Sequence, residues 1–117
     1  MAEKKVQQGE AGVLEKIAAM PEPWRGMGER IHALVRQCAP MLQPATWYGM
    51  PAYAKDGKTI CFFRADRKYM TFGLTPDASL APEEGVPHQL MEAAWLFSGL
   101  DEATEAKLAG IIRKAAI

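Results

Sequence analysis

The stretch TWYGMPAYAKDGKTICFF at 46–63 constrains the fold more than any other part of the chain. Its Asp56-Gly57 pair is a strong signal for a two-residue β-hairpin turn, because both residue types tolerate positive φ angles. We therefore expect two antiparallel strands joined at this turn. The cross-strand pairs that the turn predicts are Lys55 with Lys58, Tyr53 with Ile60 and Ala52 with Cys61.

A second turn near Asp66-Arg67 predicts another strand over 68–74. Side chains alternate between the two faces of a strand, so the apolar residues mark the face that packs against the core. The predicted core face carries Met50, Ala52, Cys61, Phe63, Met70, Phe72 and Leu74. The predicted opposite face carries Tyr53, Ile60, Phe62, Arg64, Tyr69 and Thr71. A three-residue turn would instead exchange the faces of Phe62 and Phe63.

Apolar residues recur at helical spacing in three other segments. A short helix is predicted over 10–20, and the PEP sequence at 21–23 ends it. A second helix follows, with an apolar stripe formed by Trp24, Met27, Ile31, Leu34, Val35 and Cys38. Its polar side is predicted to hold Arg25, Glu29, His32 and Arg36. A C-terminal helix is predicted after the N-cap Asp101, with Leu108, Ile111, Ile112 and Ala115 buried.

The segment between the last predicted strand and the C-terminal helix is less regular. Prolines and a glycine at 75–88 predict a surface loop. QLMEAA at 89–94 is interpreted as a short helical turn, and AWLFSGL at 94–100 as a fourth strand. Strands and helices together predict a two-layer α+β fold, in which helices cover one face of an antiparallel sheet.

A chain of 117 residues suits one compact domain. We expect residues 1–9, which are polar, to be frayed and residues 10–117 to form the single domain. The N-terminus has no apolar stretch typical of a signal peptide, and no run approaches the roughly 20 apolar residues of a membrane span. These features predict a cytoplasmic protein without a membrane partner. Cys38 and Cys61 lack zinc-ligand spacing, so we expect two buried, reduced thiols.

Charge argues against one class of partner. The chain carries 14 basic and 14 acidic side chains, which gives a formal net charge of zero. Proteins that bind nucleic acid broadly through phosphates need a basic face. Nucleic acid is therefore disfavoured as a partner.

Three stretches together resemble the YdhG-like domain family, a group of small bacterial proteins often labelled frataxin-like iron chaperones. They are CAPMLQPATWYGMPAYAKDGKTICFF, the tryptophan-bearing AWLFSGL and DEATEAKLAGIIRKA, and the similarity covers about residues 22–116. The resemblance implies a YdhG-like, secretion-chaperone-like fold of two layers, with helices on one side of an antiparallel sheet. The segment 65–90 departs from the family pattern, and the family supplies no catalytic residues to carry over.

The family label raises the possibility of ferrous iron as a cofactor or cargo, which oxygen ligands would hold. The acidic residues of the first two helices do not cluster in sequence. Asp101 and Glu102 are better explained by helix capping. The adjacent pair Glu83 and Glu84 is the remaining, weak candidate for a metal site, and a solvated loop explains it better.

No catalytic signature is present in the sequence. Cys61 and Ser98 lack a nucleophile motif such as GxSxG, and no phosphate-binding loop or dinucleotide fingerprint exists. His32 and His88 have no ligand or base partner at a recognisable spacing. We therefore expect a protein that is not an enzyme. A Cys61-dependent activity would require a histidine beside the thiol in space.

The function that the sequence favours is non-catalytic binding through aromatic residues on the open face of the sheet. Such a patch would mark a ligand or partner surface. Its predicted contact residues are Trp47, Tyr53, Phe62, Arg64 and Tyr69. Two alternatives stay open: a homodimer or partner protein that covers this face, and a frataxin-like iron chaperone that binds ferrous iron weakly through surface carboxylates.

Overall fold

The computed structural model describes the backbone of residues 2–117 and the side chains from residue 9 onward. Its helices are α1 (Ala2–Ala18), α2 (Trp24–Cys38) and α3 (Glu102–Ala115). Its strands are β1 (Gln43–Trp47), β2 (Met50–Lys55), β3 (Lys58–Ala65), β4 (Met70–Leu74) and β5 (Ala94–Phe97). Because α1 begins at Ala2, it is longer than the helix predicted over 10–20. The predicted fraying of residues 1–9, of which Met1 lies outside the described residues, stays a prediction.

The five strands form one antiparallel sheet in the order of the sequence, β1-β2-β3-β4-β5. All three helices pack on the same face of this sheet, which confirms the predicted two-layer α+β fold. We call the face toward the helices the inner face and the opposite one the outer face. The core lies between the two layers, and its largest fully buried side chains include Tyr53, Phe63, Phe72, Ile17 and Ile31.

The predicted hairpin turn is confirmed. Asp56 and Gly57 adopt φ angles of 52° and 80°, and Lys55 pairs with Lys58 across the turn. Positive φ at both central residues is the conformation that matches the natural twist of the two strands. The Asp-Gly pair therefore fixes where β2 ends and β3 begins.

The register beyond the turn differs from the prediction because of a β-bulge. The register of the β2–β3 pair shifts between Tyr53 and Ala54, so that Tyr53 pairs with Cys61 and Ala52 with Phe62. One extra residue, Ile60, stands between the paired positions of β3, and it is buried. A shift by one residue moves side chains to the other face. Tyr53 therefore lies on the inner face, where it was not predicted, and the inner-face prediction for Met50 and Ala52 is wrong.

The β3–β4 connection is also longer than predicted, but the paired residues of both strands keep the orientation that was predicted for them. Residues 66–69 join the strands, and the Asp66 N–H donates to the Tyr69 carbonyl over 2.8 Å. Phe63 consequently pairs with Phe72 instead of Met70. Because this slip is two residues, the β3 and β4 side chains from Cys61 onward keep their predicted faces. Ile60, which was predicted on the outer face, is instead buried in the core at the bulge. Tyr69 lies in the connection and not in a strand, since β4 begins at Met70.

Helices α2 and α3 match their predictions closely. Asp101 caps α3, because its Oδ1 accepts the Thr104 N–H over 2.9 Å, and this bond lowers the pKa of the carboxyl group. The Arg30 guanidinium of α2 meets both carboxylate oxygens of Glu105 of α3 at 2.9 Å. The segment 89–93 is extended and not helical, so the predicted short helical turn is wrong. The strand predicted at 94–100 is confirmed in part as β5.

Gly9 marks a close approach between α1 and β1. A Cβ atom there would lie 2.5 Å from the Pro44 carbonyl oxygen, whereas one at Gly110 of α3 would meet nothing within 4 Å. We expect Gly9→Ala to lower the free energy of unfolding by about 1–3 kcal/mol, because a backbone carbonyl must move. Gly110→Ala is expected to raise it by about 0.5–1 kcal/mol through helix propensity. Urea unfolding measures both, and two stabilised variants would contradict this contact.

Candidate functional site

An aromatic cluster occupies the outer face at the β1 side of the sheet. The ring centroids of Trp47 and Phe62 are 5.2 Å apart, and Tyr48 meets Trp47 edge-on at 4.8 Å. The Phe62 ring lies over Gly73 of β4, where an added Cβ would come within 2.5 Å of Cζ. Gly73 therefore lets the ring lie flat on the sheet. Tyr48 is 85% exposed, so the cluster is open to solvent.

A cleft of about 500 Å³ adjoins this cluster. Its lining consists of Trp47, Gly57, Lys58, Thr59, Phe62, Leu74, Thr75, Pro76 and Asp77. The volume is typical of pockets for small molecules. Two aromatic rings, two hydroxyl groups and one charge of each sign surround the space.

Thr75 holds the polar side of the cleft in place. Its Oγ1 donates to the Thr59 carbonyl in a short hydrogen bond, and its N–H donates to the Ile60 carbonyl over 3.0 Å. The same hydroxyl oxygen accepts the Asp77 N–H over 3.3 Å. These bonds tie the start of the 75–93 connection to the bulge of β3. The cleft is therefore built on the sheet and not on a detached loop.

The structure brings together only part of the predicted contact set. Trp47 and Phe62 stand side by side in the cleft wall. Arg64 is on the same face but pairs with Asp66 over 3.4 Å and does not line the cleft. Tyr69 is 47% exposed in the 66–69 connection and is likewise outside the cleft lining. Tyr53 is on the opposite side of the sheet.

Tyr53 instead begins a polar network that runs from its buried hydroxyl through His32 to the exposed Glu10. Its hydroxyl lies 2.7 Å from His32 Nδ1, and His32 Nε2 lies 3.0 Å from a Glu10 carboxylate oxygen. Burial raises the pKa of the Tyr53 hydroxyl far above its usual range. The network joins α1, α2 and β2, so His32 has a structural partner that the sequence did not indicate. No spacing signal could have revealed it, because the three residues meet only in the folded protein.

A second cleft, of about 670 Å³, lies between α3 and the 75–93 connection. Its lining includes Leu80, Leu90, Trp95 and Ile111 together with Lys107 and Lys114. The Trp95 Nε1 donates to Glu92 over 3.1 Å at its border. Its charges are of both signs, and Glu83 and His88 also contribute to its lining.

The residues predicted as metal or nucleophile candidates are dispersed. Among the side chains of residues 9–117, no group of three or more from His, Cys, Asp or Glu is placed to hold a metal ion. Glu83 and Glu84 are both exposed, and no observation favours the iron alternative, which stays a prediction. Cys61 is a free, buried thiol whose pKa burial raises to about 12, whereas a reactive cysteine needs a lowered pKa. Cys38 is half-buried and also free.

The chain is a small α+β domain with an aromatic-walled cleft on the outer face of its sheet. No family model, curated protein or solved structure matches the chain. The resemblance to the YdhG-like family therefore stays a prediction. Within residues 2–117, none of the helices has the length and apolar character that a bilayer crossing requires.

Proposed function

We propose that the protein binds a small planar ligand in the outer-face cleft, without catalysing its conversion. The observation that carries this proposal is the cleft of about 500 Å³ bounded by the Trp47 and Phe62 rings. Offset or tilted stacking on such rings is favourable for any flat π system. A planar molecule would displace water from the exposed parts of these two rings.

The polar groups of the cleft support a ligand with hydrogen-bonding substituents. Lys58 and Asp77 line it, and neither belongs to a salt bridge in the described part of the chain. Lys58 offers a cation for an acidic group of the ligand, and Asp77 offers an acceptor for an N–H or O–H donor. Polar groups beside aromatic rings can fix the orientation of a small ligand.

The lining supports binding more than catalysis. It contains no histidine, no cysteine and only one carboxylate. A general acid–base pair or an activated nucleophile needs two such groups within hydrogen-bond reach of each other or of the reacting atom. Lys58 and Asp77 are the titratable side chains of the lining, and no salt bridge joins them in the described part of the chain. The Thr75 hydroxyl is already engaged with the Thr59 carbonyl.

Indole-3-carboxylate is a suitable probe, because it is planar and carries one negative charge for Lys58. We expect it to shift the indole N–H resonance of Trp47 in a two-dimensional NMR titration and to leave that of the buried Trp24 unchanged. Trp47→Ala should weaken binding about tenfold or more, since a stacking contact is worth roughly 1–3 kcal/mol. Gly73→Ala should weaken it too, because the new methyl group displaces the Phe62 ring.

Two controls make the experiment specific. Cyclohexanecarboxylate has the same charge without a flat π system and is expected to bind more weakly. Trp95→Phe removes an indole from the second cleft and is expected to leave the affinity unchanged. Saturable shifts at Trp95 in place of Trp47, or equal binding by the Trp47→Ala variant, would contradict the proposal.

A further inference from the structure

The two edges of the sheet are protected to different degrees. Edge strand β1 contains Pro44, which cannot donate a hydrogen bond to an added strand. Edge strand β5 has the sequence AWLF, without a proline or a charged residue. Folded proteins usually guard an open edge with charge or proline, because its free backbone groups can pair with another strand. The β5 edge lacks both forms of protection.

The backbone groups that β5 presents at this edge can be assigned. The Leu74 N–H donates to the Ala93 carbonyl over 2.7 Å, and Trp95 and Phe97 follow opposite Phe72 and Met70. Hydrogen-bonded positions alternate along an antiparallel pair. The N–H and C=O groups of Ala94 and Leu96 therefore point away from β4. Among the described backbone groups and the side chains from residue 9 onward, none forms a hydrogen bond to them.

Apolar side chains accompany these free backbone groups. Leu96 is 62% exposed on the outer face of β5. Leu90 and Met91, which precede the strand, are 73% and 50% exposed. Trp95 and Phe97, on the inner face, are each only half-buried. The edge thus combines unpaired hydrogen-bonding groups with apolar surface.

We propose that β5 pairs antiparallel with β5 of a second copy of this chain, with Leu96 opposite Leu96 of the second copy. A two-fold axis perpendicular to the sheet then pairs the outward-pointing groups of Leu96 with each other and those of Ala94 with Ser98. The outer-face side chain of each Leu96 would cover the other. On the inner face, Trp95 would lie beside Phe97 of the second copy, an aromatic cross-strand pair.

Charge is compatible with this register and favours a second copy as the occupant. Met70 pairs with Phe97, so Arg67 and Lys68, which precede Met70, lie near the C-terminal end of β5. The antiparallel arrangement brings Glu92 of the second copy, which precedes its β5, toward this same end. Neither basic side chain forms a salt bridge in the described part of the chain. The two copies would form a continuous ten-stranded sheet, with both outer-face clefts on the same side.

Sedimentation equilibrium of the purified chain tests this proposal. We expect a concentration-dependent monomer–dimer equilibrium between roughly 10 µM and 1 mM, because a short strand pair buries less area than a standard interface. The amide protons of Ala94 and Leu96 should gain protection from hydrogen exchange as the dimer forms. Monomers at every concentration would overturn the proposal.

Variants of Leu96 test the register. Leu96→Lys places two like charges at the axis and is expected to give a monomer, and Leu96→Glu should do the same. An equimolar mixture of these two variants should form a heterodimer, because opposite charges then meet. Leu14→Lys, at a 47% exposed position of α1, is the matched control and should dimerise like the original chain. A dimer that persists in Leu96→Lys, or a mixture that stays monomeric, would overturn the proposed register. None of these outcomes bears on the cleft, which lies at the β1 side of the sheet.

Discussion

Replacing Phe63 with alanine is expected to lower the free energy of unfolding by about 3–5 kcal/mol. Phe63 is fully buried on the inner face, pairs with Phe72 and stacks against Tyr53 at a centroid distance of 6.4 Å. Its ring also lies against the backbone of α2, because a Cβ at Gly28 would be 3.4 Å from Cε2. The truncation would therefore open a cavity where the two layers meet. Since the free energy of unfolding of small domains is only about 5–15 kcal/mol, this substitution would remove a large part of it.

Chemical unfolding of three variants measures this effect. Phe63→Leu keeps most of the side-chain volume and is expected to lower the free energy of unfolding by less than about 1.5 kcal/mol. Its stability can therefore be measured even if the alanine variant does not fold. Tyr48→Ala removes an aromatic ring that is 85% exposed and should change stability by no more than about 0.5 kcal/mol. Equal losses for Phe63→Ala and Tyr48→Ala would show that the core is not centred on Phe63.

Alkaline conditions are expected to destabilise the protein strongly through Cys61 and Tyr53. Burial raises the pKa of the Cys61 thiol from 9.0 to about 12 and raises that of the Tyr53 hydroxyl as well. Above its ordinary pKa each group ionises in the unfolded chain while it keeps its proton in the folded one. The stabilisation is therefore complete below about pH 9 and is lost as the pH rises toward the folded pKa. Each group contributes a slope of roughly 1 kcal/mol per pH unit in its window.

Urea unfolding between about pH 8 and pH 11 measures this slope, since the window follows from the two pKa values. Cys61→Ala is expected to flatten the dependence above about pH 9, and Tyr53→Phe to flatten it above about pH 10. Tyr53→Phe should also lower stability at every pH, because His32 loses its hydroxyl partner. Tyr48→Phe changes an exposed tyrosine and is the control for the slope. Identical slopes in all four proteins would contradict the burial of these groups.

Local signals allowed much of the fold to be predicted, and a distant contact explains the main error. The Asp56-Gly57 turn and the Asp101 cap depend on neighbouring residues, so their sequence signals were sufficient. The bulge at Ile60 depends on Thr75, whose hydroxyl and N–H bind the carbonyls of Thr59 and Ile60. No pattern around residue 60 indicates this partner. The predicted face of Tyr53 was wrong for that reason.

The candidate site was predicted only in outline. Trp47 and Phe62 were both among the predicted contact residues, and the structure places their rings in contact. The β1 strand that carries Trp47 was not predicted, because it contains Pro44. Proline is rarely found in strands other than those at sheet edges. Gly73, which lets the Phe62 ring lie flat, could not be recognised before the pairing of β3 with β4 was known.

The linear order of the strands also bears on how the sheet assembles. Connections of two to four residues join β1 through β4, whereas residues 75–93 separate β4 from β5. The entropy cost of closing a loop grows with its length, and sheets with local pairings fold faster than those with distant ones. The β1–β4 meander can therefore form from successive short-range steps. Strand β5 is added across the longest span, so we expect it to join the sheet after the β1–β4 meander has formed.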